Sequence, residues 1–380
     1  MMPAAVSKPA ERNRSISICK GIAIILMVIG HAEAPELITN FIYTFHMPLF
    51  FITAGYFFTQ RHADNPWQFC SRRMKGLYLP FLKWSLIFLL LHNVWFHFGI
   101  LNETYGNWTG GVTHPYSLKQ FLSRLYSIFF TMSGYDEFIA GAFWFFRGLL
   151  VASILFLILY RLASRKGKLP PQQTAAIICA GTLAFIAFHI ISGVKIAGYP
   201  NGFWRESWGI FFFGIGVIYR WAEPKLKINW LLALLFFGLL CVAATLHLSG
   251  MNNSGMLRDL WSLPLTATLG FLLTKFIAEQ IEGRKGALRD LLIFIGENTL
   301  YIFIFHILAF KAVSLLKIWW YGLDPAQIGC HMVIHFNHTD FFWVLYSIAG
   351  TAIPLLSLQG VRYVGRRLAK SPEEERIATD

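Results

Sequence analysis

Long apolar stretches alternate with short polar ones along almost the whole chain. A helix needs about 20 largely apolar residues to cross about 30 Å of hydrocarbon. Ten stretches reach or approach that length: 17–35, 40–59, 77–99, 142–161, 173–193, 206–221, 229–248, 259–278, 298–318 and 341–361. Two of them, 40–59 and 229–248, contain no Asp, Glu, Lys or Arg. The sixth is short, and its Gly209, Gly214 and Gly216 suit close helix packing. Stretches this long satisfy their own backbone in lipid as helices. The pattern therefore predicts an all-α, polytopic membrane helix bundle of about ten transmembrane helices. Residues 1–16 and 362–380 are then tails around a single membrane domain, 17–361. The first apolar run has no A-x-A cleavage site after it and reads as a span, not a signal peptide. Between the third and fourth spans, Leu118 to Phe130 places Leu122, Leu125 and Phe129 on one face, which predicts a helix lying on the membrane surface.

Composition agrees with this reading. The chain is 56% hydrophobic and 14% charged, against about 25% charge in soluble domains. Soluble, disordered and disulfide-stapled classes are thereby excluded. A net charge of +13 would suggest nucleic acid in a soluble protein. With a cytoplasmic N-terminus, however, 23 of the 33 Lys and Arg fall on inner segments and five (Lys119, Arg124, Lys195, Arg205, Arg258) on outer ones. That asymmetry is the positive-inside pattern, so both termini are expected to be cytoplasmic and no nucleic-acid partner is expected. The five cysteines form no CxxC pair and indicate neither a disulfide framework nor a zinc knuckle.

An ionisable side chain within a span is costly and marks function by default. Lys20 and His31 enclose ten residues without a polar side chain, and at 100° per residue they share one helix face, about 16 Å apart. A hydrogen-bonded bundle histidine is the other reading of His31. His46 opens the second span at a similar depth, with Pro48 suited to a first helical turn. Arg72, Arg73 and Lys75 follow at the cytoplasmic boundary, as topological anchors or as a grip on the phosphates of a cytosolic cofactor. Arg147 lies near the outer end of the fourth span, as an interfacial cation or an oxyanion partner. Asn298 or Thr299 can cap the ninth helix, with Glu297 beside them and His306 two turns in, about mid-bilayer. His331, His335 and His338 repeat at a spacing zinc could use on a helix. A metal site also needs supporting partners, and no metal is expected. Trp108, Trp144, Trp319 and Trp320 suit either sugar stacking or interfacial anchoring.

Five segments, in order, resemble one family. KGIAIILMVIGH (20–31), FHMPLFFITAGYFF (45–58), SRRMKGLYLPF (71–81), FWFFRGLL (143–150) and IGENTLYIFIFH (295–306) are similar to the acyltransferase-3 family of integral-membrane O-acyltransferases. The branch they look most like is the one named for fucose 4-O-acetylase. The resemblance implies a ten-helix bundle in the plasma (bacterial inner) membrane. It would take an acyl group, most commonly acetyl, from cytosolic acyl-CoA and pass it to a hydroxyl of a cell-surface or lipid-linked carbohydrate. Acetyl-CoA or another acyl-CoA is then a co-substrate, and no cofactor is permanently bound. Lys20, His31 and His306 take the catalytic positions, and Arg72, Arg73 and Lys75 the donor-binding ones. His46, Arg147, Glu297 and Asn298 lie around the acceptor or oxyanion. Lys75 stands where the family's basic motif has its second Arg, and Ser17 where many relatives carry Asp. A neutral, buried histidine suits proton removal from a sugar hydroxyl, directly or through an acyl-histidine. The alternative is a transporter or flippase for a small metabolite or lipid-linked sugar, for which no inverted repeat is visible.

Overall fold

In a computed structural model of the chain, the described residues are 13–106, 114–136, 138–164, 169–248, 250–252, 254–333 and 340–369. Most of the two predicted tails lies outside them. Among the described residues there is no strand, and the α-helices follow in order: α1 (Arg14–Gly30), α2 (Glu36–Tyr43), α3 (His46–Tyr56), α4 (Gln60–Asp64), α5 (Pro66–Arg73), α6 (Leu79–His97), α7 (Glu103–Gly106), α8 (Leu118–Thr131), α9 (Trp144–Ala163), α10 (Pro171–Ser192), α11 (Trp204–Ala222), α12 (Trp230–Thr245), α13 (Asp259–Glu282), α14 (Ala287–Glu297), α15 (Thr299–Tyr321) and α16 (Phe342–Ala369).

Among the described residues, seven helical stretches are long and apolar enough to cross a membrane: Glu36–Tyr56, Pro66–His97, Gly141–Ala163, Pro171–Ser192, Asp259–Glu282, Thr299–Tyr321 and Phe342–Arg367. The chain is thus a multi-pass, all-α membrane bundle. Helices also stand at the other three expected positions. Of these, α1 and α12 have 17 and 16 residues, and α11 carries Arg205, Glu206 and Arg220. Leu231, Leu234 and Leu235 on α12 are exposed, as a lipid-facing surface requires.

Two prolines shape the spans that reach the site. Pro48 has no N–H to give Thr44, so the second span breaks into α2 and α3 around Thr44 and Phe45. Thr266 Oγ1, which also bonds Ser262 O in its own helix at 3.0 Å, reaches the Thr44 carbonyl at 3.3 Å. Pro80 likewise cannot bond Gly76, and the ladder widens into one π-helical turn over Met74–Tyr78 between α5 and α6.

Helix α1 lies at the centre, packed against α2, α3, α13, α14, α15 and α16. Its first turn is capped by Asn13, whose side chain accepts from Ile16 N at 3.1 Å. The unanticipated α14 crosses it so closely that a Cβ on Gly296 would sit inside the Ser17 carbonyl, and one on Gly21 inside that of Leu292. The glycines of the first and last motifs are therefore packing residues. The Leu118–Phe130 helix departs from expectation. Instead of lying on the surface, α8 runs lengthwise along α6. At one end Asn93 Nδ2 donates to Tyr116 O (3.0 Å), and at the other Tyr78 Oη donates to Phe129 O (2.8 Å). Of its residues Ile128 is buried, while Leu122 and Phe129 of the apolar face stay exposed, so the two hydrogen bonds at its ends fix its course.

Candidate active site

Lys20, Ile24, Met27 and His31 form one stripe along α1, and two cavities open against it. The first, of about 320 Å³, is lined among others by Lys20, Ile24, Met27, Met47, Phe50, Arg73, Phe145, Phe146, Thr299 and Phe303. The second, of about 200 Å³, is lined by Met27, His31, Tyr43, His46, Met47, Ala142, Trp144, Gly250, Met251, Asn252 and Phe303. Met27, Met47 and Phe303 belong to both. The cationic cavity and the histidine-lined cavity are thus separated by a septum of three apolar side chains.

The histidines share one local design. His31 is the residue that ends α1, and its Nδ1 lies 2.9 Å from Met27 O and 3.2 Å from Met27 Sδ. His46 puts Nδ1 2.9 Å from Ile42 O. His306 puts Nδ1 3.1 Å and 3.0 Å from Ile302 O and Phe303 O. A carbonyl only accepts, so in each ring Nδ1 carries the hydrogen and Nε2 of the neutral ring keeps its lone pair. Each histidine is oriented by the backbone about one turn before it, without a carboxylate partner among the described residues. The His31 and His306 rings are tilted neighbours with centroids 5.2 Å apart, and His306 Nε2 is buried without a hydrogen-bond partner among the described residues. His46 stacks on Tyr43, whose hydroxyl donates to Gly30 O at 2.6 Å.

The other sequence-selected residues separate. Of the basic trio, half-buried Arg73 lines the first cavity, its guanidinium over the rings of Phe69 (5.0 Å) and Phe213 (5.7 Å). Arg72 and Lys75 are exposed. Arg147 is buried, and its Nε donates to Glu206 Oε1 at 3.0 Å while an NH donates to Met132 O at 3.3 Å. Asn298 occupies the N-cap position of α15 but makes no capping bond. Its Nδ2 donates to Phe294 O at 2.8 Å and its Oδ1 accepts from Arg362 at 3.1 Å. The adjacent Glu297 is exposed. Trp144 lines the second cavity under Arg205 (4.5 Å), whereas Trp319 and Trp320 are exposed. Trp108, His335 and His338 lie outside the described residues.

Sequence reasoning missed the clamps that tie the connecting loops to the spans. His92 Nδ1 lies 2.6 Å from Asp136 Oδ2 with both side chains fully buried, and His92 Nε2 lies 2.9 Å from His114 O. Asp136 Oδ1 accepts from the amides of Phe138 and Ile139 (3.0 and 3.3 Å). Lys311 donates to Ile328 O at 2.8 Å and to Cys330 O, and its ammonium lies over Phe138. Lys317 pairs with Asp340 at 2.6 Å. His331 is seated edge-on against Phe138, with centroids 5.6 Å apart. The signal for Lys311 and Lys317 was present, since both are ionisable groups inside a span; their partners lie in loops that no periodicity places.

A family model described as an acyltransferase domain matches residues 13–358, from the cap of α1 into α16. No curated protein and no solved structure matches the chain.

Proposed function

The chain belongs to the acyltransferase-3 family, and we propose that it moves an acyl group, acetyl in the first place, from cytosolic acyl-CoA to a hydroxyl of a cell-surface or lipid-linked carbohydrate. A position in the bacterial inner membrane with cytoplasmic termini, and kinship with the fucose 4-O-acetylase-like branch, are parts of the same proposal. The observation that carries it is the pair of cavities meeting at Met27, Met47 and Phe303, cationic on one side and histidine-lined on the other.

In this reading the cavity of Lys20 and Arg73 receives the donor, because cations suit the phosphates of CoA and the apolar walls suit its thioester arm. The acceptor enters the cavity of His31, His46 and Trp144. Its hydroxyl oxygen attacks the thioester carbonyl at the septum; the C–O bond forms and the C–S bond breaks. The hydroxyl proton passes to His31 Nε2 and then to the leaving thiolate, giving free CoA. Pinning Nδ1 to Met27 O leaves His31 one lone pair to offer. General-base catalysis of this kind contributes about 10²- to 10⁴-fold.

The test supplies acetyl-labelled acetyl-CoA to membranes holding wild type or His31→Gln and counts alkali-labile label in the glycan fraction. His31→Gln is expected to lose at least about 100-fold in transfer rate while remaining folded and inserted. Transfer at the wild-type rate would remove His31 from the role of base. Wild-type membranes that carry the sugar across unacylated would favour the transporter reading.

A further inference from the structure

We infer that Phe303 sets the length of acyl group the protein accepts, by standing as the fixed side of the septum between the two cavities. The inference rests on the acyl-transfer reading above and deepens it. The septum has a soft side and a hard side. Met27 on α1 and Met47 on α3 are unbranched thioethers that repack readily. Phe303 on α15 is held by a cluster of rings. It meets Phe146 edge-on at 5.1 Å, Phe145 at 5.8 Å and Phe143 nearly parallel at 6.0 Å.

The same residue also positions the chemistry. Phe303 O accepts from His306 Nδ1 at 3.0 Å, so the phenyl ring and the His306 ring are fixed within one helical turn. A thioester carbonyl that comes from the cationic cavity must reach the septum before a hydroxyl near His31 can attack it. Its acyl chain must then lie where the methionine side chains yield, because the phenyl does not. Each methylene beyond that space meets Phe303. One methylene too many in an apolar pocket changes substrate use by about 10- to 200-fold.

The experiment gives acetyl-CoA, butyryl-CoA and hexanoyl-CoA, labelled in the acyl group, in competition to membranes holding wild type, Phe303→Leu, Phe303→Ala or Phe303→Trp. Alkali-labile label in the glycan fraction gives the butyryl-to-acetyl ratio. That ratio is expected to rise by about tenfold or more in Phe303→Ala, to rise less in Phe303→Leu, and to fall in Phe303→Trp. If Phe303→Ala is not recovered folded, the leucine and tryptophan variants decide. A ratio that does not respond to residue 303 overturns the inference, as does an equal loss of transfer from all donors in folded variants. A wild type that transfers from none of the three donors overturns the acyl-transfer reading itself.

Discussion

His92 and His306 are both fully buried imidazoles, yet only one has a nitrogen to spare. His92 faces Asp136 with Nδ1 and His114 O with Nε2, and its ring lies flat on Tyr116 at 3.6 Å. Both ring nitrogens thus have a partner, and the group is consumed in joining α6 to the loop after α8. His306 gives Nδ1 to its own helix and leaves Nε2 without a hydrogen-bond partner among the described residues. An unsatisfied buried nitrogen costs about 1–3 kcal/mol, a cost native folds keep where the atom has something else to meet. Counting what each ring nitrogen touches thus separates a histidine that builds the fold from one that keeps a nitrogen in hand beside His31, which burial alone does not.

The largest effect expected from this contrast is on stability. His92→Ala leaves the Asp136 carboxylate buried without its partner, which costs about 3–5 kcal/mol. Thermal unfolding of the purified protein should show that loss, while acyl transfer per folded molecule is retained. Asp136→Asn should cost less, because the amide can donate to Nδ1 of a neutral ring that still donates from Nε2 to His114 O. The reverse pattern is expected for His306→Leu, with transfer lost and the unfolding temperature kept. Folded His92→Ala without transfer, beside fully active His306→Leu, would invert the comparison.

The same count divides the basic motif, and here the sequence was least legible. Lys20 and His31 were readable as one face because both lie on one helix with fixed geometry, and the span positions followed from hydropathy alone. Which of Arg72, Arg73 and Lys75 turns inward depends on the π turn that Pro80 imposes, and on Phe69 and Phe213 from different helices. The ion pair of Arg147 with Glu206 and the hydrogen bond of His92 with Asp136 join residues 59 and 44 positions apart, beyond the reach of any periodicity. Removing Arg73 (Arg73→Ala) should raise KM for acyl-CoA by about tenfold, the lower end of a charged hydrogen bond's worth, with kcat little changed. The exposed pair, changed together as Arg72→Ala and Lys75→Ala, should move KM by less than about fivefold, as exposed charges contribute about 0–1 kcal/mol. Equal shifts would mean that the donor is gripped at the rim and not inside the cavity.

The last expected effect concerns His331, a third kind of histidine, carried by a loop and seated against Phe138. Burial first, and then the nearness of His31 and of the Lys311 ammonium, lower its pKa from 6.5 to about 3. The folded ring therefore stays neutral where the unfolded chain, with an ordinary value near 6.5, already binds a proton. Below pH 6.5 the unfolded state is the one that gains, so stability is lost as pH falls through the window from about 6.5 to 3. By pH 5 this single ring accounts for at most about 2 kcal/mol. Unfolding temperatures at pH 7.5 and pH 5 should differ less for His331→Gln than for wild type, since glutamine takes no proton in either state. An equal drop in both proteins would mean that the His331 ring titrates in the folded protein as it does in the open chain, as a loop histidine reached by water.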